Sequence, residues 1–271
     1  MLLVKSADPL GANYVVLRDH TTDGAQSVTG GTQTNQSFYW NLFCLATNVE
    51  TAGRVAHFAG RLGVDLDVHV LAPAAPAFAK QYWAWTNWLY PWNIFTEAQH
   101  GVRVGKTGSA DDFLALLYPR VAGQGQAQIT ALADGRAVEV GHMEGKDVLL
   151  FSPGKQAVVT SGDVRLAGEI AFVRRYTNGD VRLAVVKGMN AAAAVGSWEL
   201  QSSGPVAVTI KGTAVEVESS GDAHAAKLTL PPAISTAAVT LDGKPLKSRR
   251  EGNRLTISLP HGSRDCVVGG K

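Results

Sequence analysis

The sequence predicts an all-β protein: a large antiparallel β-sandwich over residues 1–190, followed by a small C-terminal β-sheet unit over residues 191–271. Three observations carry this expectation. Short apolar or alternating segments recur along the whole chain, and a period of two marks a half-buried strand. Gly, Asp-Gly, Asn-Gly or Pro bounds nearly every segment, as turns between strands require. Helical patterning is confined to two stretches. Residues 74–80 are short and flanked by proline; residues 111–117 follow Ser109, a candidate N-cap, but also read as a strand.

Taken in order, "NYVVLRD" is short and β-branched, and "FYWNLFCLAT" is an apolar run that reads as a central strand. "RVAHFAG" and "VDLDVHVLAP" alternate. "GVRVGK", "FLALLYPRV", "QAQITALA", "RAVEVGHM", "DVLLFSP", "QAVVTSG" and "VRLAGEIAFVRRY" continue the series. In "YTNGDVRLAVV", Asn178-Gly179 supplies the φ > 0 pair of a type I′ hairpin. The alanine-rich, unpatterned "GMNAAAAVG", Gly188 to Gly196, is expected to be an exposed connector between the two units. Beyond it, "SWELQS", "VAVTIKG", "AVEVESS", "AKLTLPP", "AAVTLDG" and "NRLTISLP" are short strands with polar alternation.

Apolar residues make up 45% of the 271 and charged residues 18%, a globular composition and not a disordered one. The formal net charge is +2 and the basic residues are scattered, which leaves no electrostatic footprint for nucleic acid. No apolar run is long enough for a transmembrane helix. "MLLVKSADPL" meets Lys5 and Pro9 too early for a signal-peptide core. The two cysteines, Cys44 and Cys266, have no zinc spacing and read as buried free thiols, with a disulfide between them left open. No nucleotide fingerprint, GxSxG elbow or HExxH helix occurs. No catalytic residue can be assigned, and no metal or cofactor is expected.

Several polar constellations remain. Asp65, Asp67 and His69 share one face of a strand. They read as its wet face, with Val64, Leu66, Val68 and Val70 turned to the core; the alternative is part of a metal site completed from elsewhere. Arg18 and Asp19 read as a pair fixing a strand end, with His20 as a candidate base or ligand. Tyr118 and Arg120 share a face, and a guanidinium there suits the carboxylate of an acidic sugar. Arg174 and Arg175 point to opposite faces, and Lys244, Lys247, Arg249, Arg250 and Arg254 read as a solvated hairpin.

Five segments fall in a suggestive order: "LLVKSADPLGANYVVLRDH", "FYWNLFCLATNV", "GVDLDVHVLAP", "DDFLALLYPR" and "DVLLFSPG". Over residues 1–190 the chain resembles the β-rich half of heparinase II/III-like polysaccharide lyases. In that family a "YxVxRD" strand is followed by a Trp-containing strand, a "G-x-DLDV" strand, an "FL-x-LYPR" strand and a late "DxVFL" strand. Residues 197–271 resemble the family's small C-terminal sheet. The resemblance implies cleavage of uronate-containing polysaccharide by β-elimination, and a periplasmic or secreted location. It also implies a helical toroid and a His-rich segment carrying the catalytic groups, and neither occurs in this sequence. Where the family often has His after "WNL", this chain has Phe43. The chain is therefore expected to be the β-sandwich portion of such a lyase or, alternatively, a non-catalytic carbohydrate-binding or assembly module.

"QYWAWTNWLYPWNIF" holds four of the six tryptophans. Such rings stack on sugars, seal an interface with a missing helical domain or partner, or fill a core. Trp83, Trp85, Trp88, Tyr90 and Trp92, with Tyr118 and Arg120, are the expected contacts to an acidic polysaccharide. A membrane role is not expected, because no basic amphipathic helix surrounds the rings.

Overall fold

The structure is a computed structural model and describes residues 1–21, 37–86, 96–108, 112–231, 238–241, 244–246 and 248–263. The described residues are all-β, with no helix among them. Both stretches with helical character are strand instead: residues 77–80 open one strand and residues 113–117 another.

The chain divides into two compact units. Unit 1 comprises Met1–Leu2 and Asn13–Gln126; unit 2 comprises Leu3–Ala12 and Ala127–Lys271. The boundary expected near residue 190 is not where the chain divides. Most of Gly188–Gly196 is a strand, Ala191–Val195, hydrogen-bonded to a neighbour on each side. Ala191, Ala192 and Ala193 are buried, because small side chains let this strand pass close beneath the facing sheet. Backbone amides of Ala191–Val195 should therefore exchange with deuterium among the slowest in the chain. Exchange as fast as that of the exposed 123–126 turn would restore the boundary at 190.

Unit 1 is a sandwich. After β1 (Leu2–Val4) come β2 (Tyr14–Asp19), β3 (Ser37–Cys44), β4 (Ala46–Ala52) and β5 (Val55–Gly60). Next are β6 (Val64–Ala72), β7 (Ala77–Thr86), β8 (Thr96–Thr107) and β9 (Phe113–Val121). One antiparallel sheet runs β2-β9-β6-β5-β4, and a three-stranded sheet runs β3-β8-β7. Ala56, Phe58, Val68 and Ala115 of the first pack against Val102, Trp40, Leu42 and Phe78 of the second. "FYWNLFCLAT" does not form the central strand its apolar run predicts. The run breaks into β3 and β4, and β3 is an edge strand with alternating burial.

Unit 2 is a second sandwich. It begins with β10 (Gln128–Leu132), β11 (Ala137–His142), β12 (Gly145–Phe151), β13 (Ala157–Ser161) and β14 (Val164–Gly168). It continues with β15 (Ile170–Tyr176), β16 (Val181–Lys187), β17 (Ala191–Val195), β18 (Trp198–Ser202) and β19 (Val206–Lys211). Then come β20 (Ala214–Gly221), β21 (His224–Thr229), β22 (Ala238–Leu241), β23 (Lys244–Pro245), β24 (Ser248–Glu251) and β25 (Arg254–Leu259). One sheet runs β10-β11-β12-β15-β16-β19-β20-β22-β23 and the other β13-β14-β17-β18-β21-β25-β24. Val148, Leu150, Val173, Leu183 and Val208 of the first meet Leu166, Ala193, Leu200, Leu228 and Ile257 of the second. The β15–β16 hairpin forms where expected, with a different turn. Only Gly179 has positive φ, and Tyr176 N–H donates to Asp180 O across a three-residue loop, so the turn is not type I′.

The other face of the larger sheet carries a lateral polar row. Asp147, Arg174, Arg182 and Thr209 stand opposite one another on four adjacent strands, and all are buried. Arg174 Nε and Nη2 donate to the two Asp147 oxygens at 2.7 and 2.8 Å. His142 Nε2 lies 3.0 Å from Asp147 Oδ1. Arg182 Nη2 pairs with Glu218 at 2.9 Å. The Leu3–Ala12 segment is fastened here too. Glu144 accepts from Ser6 Oγ and, at 2.7 Å, from Ala12 N–H, while Arg174 Nη2 donates to Ala12 O at 3.2 Å.

Candidate functional site

On the three-stranded sheet of unit 1, β3 alternates strictly. Phe38, Trp40, Leu42 and Cys44 turn inward; Tyr39, Asn41 and Phe43 turn outward. Tyr39 is 57% exposed and Phe43 40%, too much for side chains held only by a core. On β8 the outward positions opposite them are Gly105, Arg103 and Gly101. The glycines are what let the rings lie down. A Cβ on Gly101 would meet Phe43 Cδ1 at 2.6 Å, and one on Gly105 would meet Tyr39 Cε1 at 3.3 Å. Each ring thus lies over a glycine of the neighbouring strand, a recurrent way of covering bare backbone.

Arg103 stands between the two rings. Its guanidinium carbon is 5.1 Å from the Tyr39 ring centroid, a cation–π distance. Its Nε donates to Asn41 Oδ1 at 3.2 Å. With the Gln81 amide turned as its neighbours require, its oxygen accepts from Arg103 Nη2 at 3.0 Å and its nitrogen donates to Asn41 Oδ1 at 3.3 Å. Ala77 and Ala79 pair with Gly105 and Arg103 from the β7 side and leave the face low there. Trp83, 46% exposed, pairs with Gln99 farther along. The result is an open platform of aromatic rings, amides and one oriented guanidinium.

The expected contacts divide. Trp83 belongs to this platform. Trp85 pairs through its backbone with Glu97, but its side chain lies outside the described residues, as do Trp88, Tyr90 and Trp92. Tyr118 and Arg120 belong to the other sheet of unit 1, on the face turned away from the shared core. The sandwich thickness, about 10 Å, separates them from the platform. Tyr118 is buried and stacks on Tyr14 at 6.1 Å. Arg120 is taken up by carboxylates: Nε donates to Asp67 Oδ2 at 2.8 Å, and Nη1 lies 3.3 Å from Asp65 Oδ2.

The face of β6 expected to be wet is therefore occupied. Asp67 is 1% exposed and also bonds His57 Nδ1 at 2.6 Å. Burial pushes the His69 imidazole below its ordinary value, against the opposing pull of Asp67. Among the described residues no group of three or more His, Cys, Asp and Glu side chains is arranged to hold a metal ion. At the end of β2, Arg18 pairs with Asp112 and not with Asp19, and His20 Nδ1 meets Asp112 Oδ1 at 2.6 Å. Burial would raise the Asp112 carboxyl, but the bonds from His20 and Arg18 prevail and hold it low. Cys44 is a free thiol that burial pushes above its ordinary value, which makes it a poor nucleophile. Cys266 lies outside the described residues.

Sequence reasoning missed Tyr39, Phe43 as a ring donor, and Arg103. The signal for them is "GVRVG": glycine at both outward positions flanking an outward arginine. No protein-family model matches the chain, and no curated protein matches its sequence.

Proposed function

We propose that the chain is the β-sandwich portion of a polysaccharide lyase similar to the heparinase II/III-like enzymes, and that its three-stranded sheet holds uronate-containing polysaccharide. One observation supports this reading: exposed Tyr39, Phe43 and Trp83 share a platform with an oriented arginine and two amides. Rings of this kind stack on the apolar faces of sugars, while amides and guanidinium take hydroxyl and carboxylate groups. Proton abstraction and leaving-group protonation are assigned to the helical toroid and His-rich segment that the resemblance implies and this sequence lacks. A polysaccharide substrate of this kind places the protein in the periplasm or outside the cell.

The test is binding and turnover with heparin, hyaluronan and alginate. The chain should be retarded in gels containing the acidic polymer it recognises. Trp83→Ala and Phe43→Ala should each weaken retention about five- to tenfold while leaving the melting temperature nearly unchanged, as exposed positions do. No unsaturated-uronate absorbance should appear from the chain alone. Failure to bind all three polymers overturns the saccharide reading. Robust absorbance from the pure protein overturns the assignment of chemistry to the missing segments.

A further inference from the structure

Tyr39 and Phe43 are four residues apart on β3, and the glycines beneath them, Gly105 and Gly101, are four apart on β8. At about 3.4 Å per residue the two rings are offset by roughly 14 Å along the strands, close to the end-to-end span of three consecutive pyranose rings. Arg103 pairs with Asn41, midway between them. The guanidinium is not spent. Asn41 and Gln81 take hydrogens from Nε and Nη2 only, and among the described residues nothing takes those of Nη1. A guanidinium has five N–H donors in a fixed plane, so part of the fork remains for a ligand.

Resting on the saccharide reading, we propose that this platform is a three-ring subsite and that Arg103 reads the charge of its middle sugar. The outer two sugars stack on Tyr39 and Phe43. The carboxylate of the middle one pairs with the remaining Arg103 donors. Asn41 and Gln81 act as positioning residues, holding the guanidinium in one orientation before ligand arrives, so little side-chain freedom is lost on binding. Tyr39 supports the cation from one side. Phe43 and Tyr39 therefore set affinity and footprint length, and Arg103 sets selectivity for an acidic unit.

The test titrates the full chain, by calorimetry, with a uronate trisaccharide, its carboxyl-reduced neutral counterpart and the matching disaccharide. The charged trisaccharide should bind about tenfold tighter than the neutral one, the scale of a charge-assisted hydrogen bond. Raising the salt concentration should shrink that preference. Arg103→Met should abolish the preference, weakening the charged trisaccharide more than the neutral one. Tyr39→Ala and Phe43→Ala should weaken both trisaccharides alike, and the disaccharide should respond to at most one of them. The melting temperature of each variant verifies the fold. If wild type binds saccharides but Arg103→Met leaves the charge preference intact, the proposal is overturned and the saccharide reading stands. The proposal is also overturned if disaccharide and trisaccharide bind equally. If wild type binds none of the three, both fall together.

Discussion

Asp147→Ala is expected to lower stability by about 3–5 kcal/mol, the cost of leaving a buried arginine without its carboxylate. Arg174 and Asp147 are both fully buried and joined by two hydrogen bonds. The midpoint of urea unfolding measures the loss, since urea leaves ionic strength unchanged. Replacing both partners, as in Asp147→Leu with Arg174→Met, should recover most of it, because the buried guanidinium is removed together with its carboxylate. A single-variant loss under about 1 kcal/mol would mean that water reaches the row. The same pair fixes an acid response. Burial alone would push the Asp147 carboxyl up, but hydrogen bonds from Arg174 and His142 outweigh it, and its pKa is lowered on folding. A carboxyl depressed in the folded state stabilises the fold above its unfolded pKa, near 4. That contribution declines as pH falls through the folded value. The stability gap between wild type and Asp147→Asn should therefore be constant at neutral pH and close below about pH 4.

Gly145→Ala should be comparably damaging. Gly145 has φ +148°, and an added Cβ would sit 1.9 Å from the Arg175 carbonyl oxygen and 3.0 Å from Tyr176 Cα. Both are backbone atoms of the paired strand β15, so no side chain can swing aside. The backbone conformation and the forced separation of β12 from β15 each cost about 1–3 kcal/mol. Gly179→Ala is the control. Its φ is +89° with nothing within 4 Å of an added Cβ, so only the conformational part applies, at least about 1 kcal/mol. Equal melting temperatures for the two variants would show that β15 yields at Arg175 without cost.

The fold class was legible because alternation with a period of two is local. Val64, Leu66, Val68 and Val70 on β6, interleaved with Asp65, Asp67 and His69, betray a strand without knowledge of any partner. The division into units was not legible, and the alanines of β17 show why. Ala191, Ala192 and Ala193 are buried without regard to parity, so a covered strand looks like an unpatterned linker. Asp67 was misread for a different reason. Its partners His57 and Arg120 lie 10 and 53 positions away, and a strand facing water is spelled like one facing buried ions. The platform was half legible. Trp83 declared itself by an aromatic excess, whereas outward Tyr39 and Phe43 were hidden in a run of apolar neighbours. Only the glycines of a strand some 60 positions later, at 101 and 105, reveal that rings lie across them.

The path of the chain carries a consequence for biosynthesis. Ser6 and Ala12 find their partners Glu144 and Arg174 only 138 and 162 positions later. During translation Ser6 and Ala12 emerge well before Glu144 and Arg174, and unit 1 is complete in sequence before most of unit 2 exists. Domains generally fold as units as they emerge, so unit 1 is free to close around its own core before Ser6 and Ala12 meet Glu144 and Arg174. Forming those bonds is then a late event, and its delay is set by the speed of the ribosome.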